Sequence, residues 1–368
     1  MKQVSLKALS VLAATAFVAT PALAQTDAFN VAAGQTVEAS RAPGEAYPDP
    51  DGLKLTDGSF EFSWDDMVGF EGPEPVELVV DLGATNDYIS YAAVKVMRSD
   101  GSDVAVPNVI VSFSEDGLLW EDLGMADTVL EGEIGNDTVG TLVWSDEEWA
   151  GYGQFVRFEL LPTGAGWTMV AEVQVGNGPV PADLLPEPVE TAEPTEEAVN
   201  VALGRGYVIE PEASEAYPDE GGIQLTDGSY EYAWGDMVGI ADPTDNPVVI
   251  VDLGEQVEGI TRVAGLFMRS FASGVNLPYS IIVSVSEDGE NFEVVGLAAR
   301  TEPAPPMNEL INSVYWQDLA NPVSARYVKL DIRPRTGWLM TAEVVIQTGN
   351  AVPEVVEVEE EAEEEAGD

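Results

Sequence analysis

The chain carries one long phrase twice. It reads LTDGSFEFSWDDMVGF at positions 55–70 and LTDGSYEYAWGDMVGI at positions 225–240. The two copies of the phrase begin about 170 residues apart. This distance is far longer than the roughly 20–50 residues of a solenoid repeat and matches the size of a domain. Other matched segments follow the same order in both parts of the chain, at 30–32 and 200–202, 45–49 and 215–219, 80–83 and 251–254, 97–99 and 268–270, 114–117 and 286–289, and 171–173 and 342–344. We therefore predict a tandem duplication of one domain.

The two ends and the middle of the chain fall outside this repeat. Residues 1–24 combine two lysines, a short apolar run and an Ala-Leu-Ala end, which predicts a secretory signal peptide cleaved before Gln25. The expected location is extracellular, periplasmic or associated with the cell surface. We assign 25–177 and 199–349 to the two domains, 178–198 to an extended proline- and glutamate-rich spacer, and 350–368 to an acidic disordered tail.

The composition excludes several classes of function. The chain has 66 acidic and 15 basic residues and a formal net charge of −51. A surface of that sign repels nucleic acid and anionic lipid headgroups, so we expect neither as a partner. The chain contains no cysteine, which excludes disulfides, and no histidine, which excludes Ser–His and Cys–His nucleophile systems and imidazole zinc sites. Stability is expected to come from hydrophobic cores or bound ions.

Short β-strands dominate the pattern inside each copy. Runs such as VELVVDLG, NVIVSFSEDG, VVIVDLG and YSIIVSVSEDG are rich in β-branched residues and end in glycine or aspartate. The SEDG segments read as strand ends that enter Asp-Gly turns, and helical periodicity is weak throughout. We therefore predict an all-β protein made of two tandem jelly-roll β-sandwich domains.

Six motifs in a fixed order resemble those of one known family. They are N-V-A near the start, L-T-D-G, an apolar strand ending in V-D-L-G, V-x-x-S-x-D-G, the segment ARYVKL at 325–330, and a late tryptophan followed by A-E-V. This order resembles the discoidin, or coagulation factor five/eight type C, domain, a galactose-binding-like β-sandwich. The resemblance covers about 30–176 and 200–348 and is looser in the first copy, where QFVRF at 154–158 replaces RYVKL. It implies a jelly roll whose loops at one end bind glycans, phospholipid headgroups or proteins.

The resemblance also implies a structural calcium ion near the L-T-D-G turn of each domain. The family pattern pairs the aspartate of this turn, here Asp57, with a glutamate of the last strand, here Glu172. Asp227 and Glu343 are the equivalents in the second copy. Calcium prefers hard oxygen ligands, which carboxylates and turn carbonyls supply. The alternative is a turn closed by its own aspartate without a metal, with the glutamate held by backbone amides.

Four tryptophans are candidate ligand-binding residues. Trp64 and Trp234 end the alternating runs SFEFSW and SYEYAW, which predict a strand with its aromatic residues on one face. That face belongs either to the core or to a platform for the apolar side of a sugar. Trp167 and Trp338 follow glycine-rich loops, where they either form a platform or close the end of the sandwich.

Two arginines are the other candidates for ligand binding. Arg98 and Arg269 each follow an apolar strand and precede a variable loop, which places them near one end of the sandwich. A guanidinium there can donate two hydrogen bonds to neighbouring hydroxyls or to a carboxylate. The alternative is a structural ion pair with one of the many acids. Trp120 and Phe292, which follow the Asp-Gly turns, are predicted core residues.

The combined expectation is a secreted, non-catalytic, carbohydrate-binding or cell-surface adhesion protein with structural calcium. Its partners would be glycans or a surface or matrix polysaccharide, and two tethered sites would raise avidity. The alternative is a structural or adhesive envelope protein that binds other proteins. A glycosidase could work with two carboxylates alone, but we expect no enzyme because small sandwiches offer loops rather than a deep cleft. Membrane binding is not expected, since basic residues are scarce.

Overall fold

A computed structural model describes residues 29–58, 63–126, 128–130, 133–146, 151–178, 198–229, 233–304 and 308–349. The segment predicted as a signal peptide, most of the predicted spacer and the predicted acidic tail lie outside these ranges. We call 29–178 the N-terminal half and 198–349 the C-terminal half. The described residues contain no helix with the length and apolar character that a membrane span requires.

The described residues form β-strands and short 3-10 turns. The strands of the N-terminal half are β1 (Phe29–Asn30), β2 (Val37–Ala39), β3 (Val68–Glu71), β4 (Val76–Arg98), β5 (Asn108–Ser114), β6 (Glu121–Met125), β7 (Thr128–Val129), β8 (Thr138–Ser145), β9 (Gly151–Leu161) and β10 (Trp167–Asn177). Those of the C-terminal half are β11 (Val199–Asn200), β12 (Gly206–Glu210), β13 (Val238–Ala241), β14 (Val248–Met268), β15 (Ser280–Ser286), β16 (Glu293–Ala298), β17 (Arg300–Ala304), β18 (Asn308–Gln317), β19 (Val323–Arg333) and β20 (Trp338–Thr348). The 3-10 turns are Lys54–Thr56, Trp64–Asp66, Asp100–Ser102, Gln224–Thr226, Trp234–Asp236 and Phe271–Ser273.

The long strand β4 belongs to both layers of a sandwich. Its first part, from Val76 to Asp81, pairs with β9 and β2, whereas its last part, from Tyr91 to Arg98, pairs with β8 and β10. The register shifts between Asp81 and Ile89, where the strand crosses over. One layer is therefore β2-β4-β9-β5-β6, and the other contains β10, β4, β8 and β7 with β3 and β1 on β10.

The C-terminal half repeats this arrangement. Its sheet runs β11-β20-β14-β19-β15-β16, with β12 and β18 on β14 and β13 on β20, the same order as in the N-terminal half. Inward-facing apolar residues of both layers fill each core, such as Val94, Val111 and Phe158 in one half and Val283 and Leu330 in the other. The all-β jelly-roll sandwich predicted from the sequence is confirmed.

The Asp-Gly turns predicted after β5 and β15 are confirmed. The Asp116 carboxylate accepts hydrogen bonds from the N–H groups of Leu118 (2.8 Å) and Leu119 (3.0 Å). These amides are the main reason that the pKa of Asp116 is lowered. Gly117 has φ +74°, which explains the glycine. Asp288 closes the equivalent turn by the same contacts.

Two sequence interpretations are wrong at the level of local structure. Trp64 and Trp234 lie in 3-10 turns, not in strands, although the preceding aromatic residues at 60, 62, 230 and 232 lie outside the described residues. Trp120 and Phe292 are only half-buried. Arg157 stacks on the ring of Trp120 at 4.6 Å, and a lysine stacks on Phe292 at 4.9 Å. A cation on the ring face thus replaces the expected core contacts.

The N-V-A motif has a structural explanation that yields a prediction. The side-chain oxygen of Asn30 accepts hydrogen bonds from the N–H groups of Ala32 and Val175, both at 3.1 Å. It therefore ties the first strand to the last. We expect Asn30→Ala to lower the free energy of unfolding by about 1–3 kcal/mol, because two buried donors lose their acceptor. Urea unfolding measures the loss. Asn30→Asp keeps the acceptor and should lose less; an equal loss would contradict the explanation.

Candidate functional site

The L-T-D-G turn of the N-terminal half packs on an open edge of β10. β3 pairs with β10 as far as Val170, and β1 pairs with it from Gly176. The turn Lys54–Thr56 contacts β10 in the stretch between them. The Thr56 hydroxyl donates to the Gln35 carbonyl (2.5 Å) and its carbonyl accepts from the Gly34 N–H (2.8 Å). The turn is thereby held in place over the last strand.

A buried glutamate lies beneath this turn. Glu172 is fully buried, and its Oε1 accepts a hydrogen bond from the Gly58 N–H at 3.2 Å. Its Oε2 is also buried and has no hydrogen-bond partner. Burial raises the pKa of Glu172 from 4.5 to about 8; the Gly58 amide opposes this shift and the nearby Asp57 carboxylate adds to it. This carboxyl group therefore needs either a proton or a cation at neutral pH.

The C-terminal half contains the same arrangement. Glu343 is fully buried, its Oε1 accepts from the Gly228 N–H at 3.0 Å, and its Oε2 has no hydrogen-bond partner. Burial raises its pKa to about 8, and the Asp227 carboxylate raises it further. Asp227 also accepts a hydrogen bond from the Ser229 N–H at 2.7 Å. The structure thus brings together each pair of predicted metal ligands.

These residues fit a calcium ion only with help from the backbone. An unpartnered, buried carboxylate oxygen beside a second carboxylate is the hard donor set that calcium prefers. Over the described ranges, however, no group of three or more histidine, cysteine, aspartate or glutamate side chains could hold a metal. The other ligands would have to be turn carbonyls and water. Each glutamate is also held by one backbone amide, as the metal-free alternative predicted.

Three aromatic rings pack together in each half. In the N-terminal half, Tyr47 lies between Trp64 and Trp167, with ring centroids 5.9 and 5.3 Å away. Both tryptophans are half-buried, and the Trp167 ring lies so close to Gly44 that a Cβ there would be 2.7 Å from it. Together with Met67 and its neighbours they form a small satellite core. Trp167 is thus tucked in, not a free platform.

The trio of the C-terminal half lines a cleft. Tyr217 stands 5.9 Å from Trp234 and 5.3 Å from Trp338. With Ser273 and Val275 these rings line a cleft of about 300 Å³. The tyrosines of both trios were missed in the sequence. Their signal in the sequence is the EAYPD segment, which occurs at 45–49 and again at 215–219.

Arg98 lines a larger cleft at the end of the N-terminal sandwich. Its Nε donates to Asp100 at 3.0 Å and a terminal nitrogen donates to the Ile134 carbonyl at 3.2 Å, which leaves its side chain 37 % exposed. Arg98 therefore forms a structural ion pair and also lies at the end of the sandwich, so the two interpretations of this residue are compatible. The cleft has a volume of about 610 Å³ and is lined by Arg98, Asp100, Asp103, Val104, Ala105, Val106, Val129, Glu133, Ile134 and Thr163.

Arg269 has different surroundings. It follows β14 as Arg98 ends β4, and its guanidinium lies 5.9 Å from the ring of Phe271, which is 74 % exposed. Val104 and Val275 each bridge to the tryptophan that opens the last strand. The two halves thus share their scaffold but differ in the side chains at this end.

The chain is similar in fold to several solved structures. No protein-family model matches the sequence, and no curated protein matches it. A fucolectin from striped bass (Morone saxatilis) serum is 17 % identical, with 89 % of this chain and 100 % of that chain covered and a TM-score of 0.32. A fucose-binding module of Streptococcus pneumoniae is 16 % identical over 41 % of this chain and 96 % of its own, with a TM-score of 0.30. Allantoicase from Saccharomyces cerevisiae is 12 % identical over 89 % and 94 %, with a TM-score of 0.30.

Proposed function

We propose that the protein is a secreted, non-catalytic carbohydrate-binding protein whose two sandwiches are each stabilised by a calcium ion. The observation that carries the proposal is the cleft at the end of the N-terminal sandwich. It combines an apolar floor with a rim of hydrogen-bonding groups, the two surfaces that a pyranose ring requires.

The lining of the cleft matches the two faces of a sugar. Val104, Val106, Val129 and Ile134 offer apolar surface to C–H groups. The guanidinium of Arg98, already oriented by Asp100 and the Ile134 carbonyl, can donate to ring hydroxyls. Carboxylates on the rim can accept from the same hydroxyls. Preorganised donors and acceptors lose little entropy on binding, which favours both affinity and specificity for a sugar.

The aromatic cleft of the C-terminal half supplies a second site of different composition. Its tryptophans and tyrosine present ring surface, and Ser273 presents a hydroxyl. Aromatic rings bind the C–H face of sugars through dispersion and hydrophobic contact. Two weak sites on one chain raise the overall affinity for a polysaccharide through effective concentration. The matrix or cell-surface glycan is therefore the partner class that we propose.

Binding to glycans is tested with an array of immobilised oligosaccharides and with soluble polysaccharide. We expect Arg98→Ala to weaken binding roughly tenfold or more while the melting temperature stays unchanged. Trp234→Ala should weaken binding through the other half. Arg326→Ala is the matched control, because this arginine pairs with Asp252 at 3.0 Å and belongs to neither cleft. Folded protein that binds no glycan, or binding that survives both variants, would contradict the proposal, and release of sugar would contradict its non-catalytic part.

Protein binding is the second candidate, in an envelope or adhesive role. Leu118 and Leu119 are 80 % and 68 % exposed at the tip of the turn after β5. Two neighbouring leucines in water favour contact with another protein. Leu118→Ser with Leu119→Ser should abolish co-purification of an envelope partner and leave glycan binding unchanged, if this second role holds.

A further inference from the structure

The outer face of strand β5 is buried although a sandwich has its core on the inner face only. Val109 and Val111 point into the N-terminal core. Ile110, between them, must point outward because side chains alternate along a strand, yet it is 0 % exposed. Ile282 holds the same position in β15 and is 8 % exposed. Something must cover both outer faces.

Each half covers the outer face of the other. One apolar cluster contains residues of both halves, namely Ile110, Met125, Leu161, Ile282, Val294 and Leu297. The edge strands β6 and β16 are also in contact. Edge strands are prone to pair with foreign strands, and mutual coverage protects them.

A buried charge lies at the centre of this contact. The side chain of Asp122, on β6, is 3 % exposed and accepts a hydrogen bond from Ser112 of its own half at 2.6 Å. It also accepts one from Ser280 of the C-terminal half. Arg333 of the C-terminal half lies 3.3 Å from it. One carboxylate is therefore satisfied from both sides of the contact.

The arginine is equally committed to the N-terminal half. Arg333 donates to Glu159, on β9. Burial disfavours the charged guanidinium, but the carboxylates of Asp122 and Glu159 outweigh burial and raise the pKa of Arg333. Arg157 of the N-terminal half approaches Asp122 from its own side at 3.7 Å. The more exposed pairs at the rim, Arg335 with Glu121 and Arg300 with Asp146, contribute little.

The buried pair is not duplicated, which makes the contact specific for unlike halves. Asp122 pairs across the ladder with Ser112, and at the same register Val294 pairs with Ser284. Arg333 pairs with Ser280, and at the same register Leu161 pairs with Asn108. Two N-terminal halves would bring Asp122 and Glu159 into the contact without Arg333, and two C-terminal halves would bring Arg333 there without Asp122 and Glu159. Both arrangements lose the ion pairs that Arg333 makes with Asp122 and Glu159 and leave these buried charges with fewer partners, which is costly.

We propose that the outer face of β5, β6 and β9 is a docking surface for the outer face of β15, β16 and β19, and that Asp122 and Arg333 restrict docking to one N-terminal and one C-terminal half. The two halves of one chain then associate as the two subunits of a heterodimer do. They keep one fixed orientation regardless of the conformation of the spacer. This inference does not depend on the proposed function.

The test cuts the spacer of the intact protein. A specific protease site placed within 179–197 allows cleavage after folding, and size-exclusion chromatography with serial dilution then measures how tightly the fragments hold together. We expect the nicked protein to elute as one particle at micromolar concentration. Asp122→Val and Arg333→Leu each install the residue of the other half, and each should weaken the association roughly thirtyfold or more.

The double variant gives the decisive comparison. Because Asp122→Val with Arg333→Leu removes both charges together, its loss should be much smaller than the product of the two single losses. Asp146→Ala, which removes a rim ion pair, should leave the association unchanged. Fragments that separate without any substitution, or single losses that multiply independently, would overturn the proposal.

If the substituted proteins fold poorly, a distance measurement on the uncut chain tests the proposal without changing the contact. The chain has no cysteine, so Glu38→Cys with Glu255→Cys gives two clean spin-label positions, both exposed. Pulsed electron resonance should show one narrow distance distribution in the otherwise unchanged protein. A broad distribution would show independently moving halves and would overturn the proposal.

Discussion

In calcium-free buffer, the protein should become less stable as the pH rises from about 5 to 9. Glu172 and Glu343 are the cause, because burial raises the pKa of each from 4.5 to about 8. The folded protein holds these protons more tightly than the unfolded chain. The stabilisation is therefore complete below about pH 4.5 and is lost as the pH rises through about 8.

Replacing both glutamates by glutamine should remove most of this pH dependence. Glutamine mimics the protonated carboxyl, so the variant should exceed the parent at pH 9 by about 4 kcal/mol per site in the metal-free state. The chain contains no histidine and no cysteine, so few other groups titrate between pH 6 and 9. Burial also raises the pKa of Asp331. This residue is the same in the parent and the variant, so it contributes equally to the pH dependence of both.

Urea unfolding in EDTA at a series of pH values measures this effect. Glu38→Gln is the matched control, since Glu38 is exposed. Its free energy of unfolding should fall with pH as steeply as that of the parent. In a second series at pH 8, added calcium should raise the melting temperature of the parent and leave that of the double variant unchanged, because an ion that binds only the native state stabilises it by mass action. An unchanged slope in the double variant would refute the burial argument, whereas a parent indifferent to calcium would refute the calcium proposal alone.

Gly176→Val should prevent or nearly prevent folding of the N-terminal half. Gly176 pairs with Tyr91 across β10 and β4, and the tyrosine ring lies directly over it. A Cβ at Gly176 would be 1.6 Å from Cε1 and 2.0 Å from Cδ1 of Tyr91. That ring is 2 % exposed and cannot swing into solvent. We expect a loss of about 3 kcal/mol or more for valine, and somewhat less for alanine.

Two comparisons make this result specific. Gly176→Val with Tyr91→Leu should recover part of the loss, because the smaller side chain frees the space above the strand. Gly235→Ala should be neutral, since a Cβ there meets nothing within 4 Å. Circular dichroism and urea unfolding measure all four proteins. A fully stable Gly176→Val variant would show that the tyrosine ring is free to move.

The sequence predicted the residues of the calcium site as pairs, but it predicted the ligand-binding residues only one at a time. The pairing of Asp57 with Glu172 came from the family resemblance, and the structure places both at one turn. The ligand residues were found singly, by residue type and nearby turns. Arg98 does lie in a cleft, but the valines and Ile134 that make the cleft apolar carried no recognisable signal. They come from the segment before β5, from β7 and from the segment before β8, and no local pattern predicts that these meet.

Contact between the halves has a signal in the sequence. NVIV in β5 and SIIV in β15 are nearly continuous apolar runs, a pattern typical of strands buried on both faces. Side chains alternate between the two faces of a strand. In runs of this kind, Ile110 and Ile282 therefore need a second covering surface on the outer face.

Period-two patterns, turn residues and the repeated motifs were sufficient to infer an all-β chain of two similar sandwiches, because each depends on residues close together in sequence. Only the folded chain showed three kinds of contact: the rings around Tyr47, the arginine stacked on Trp120, and the ion pair between Asp122 and Arg333. These contacts join segments from distant parts of the sequence. Their geometry follows from how layers and halves pack, and packing is a property of the whole molecule.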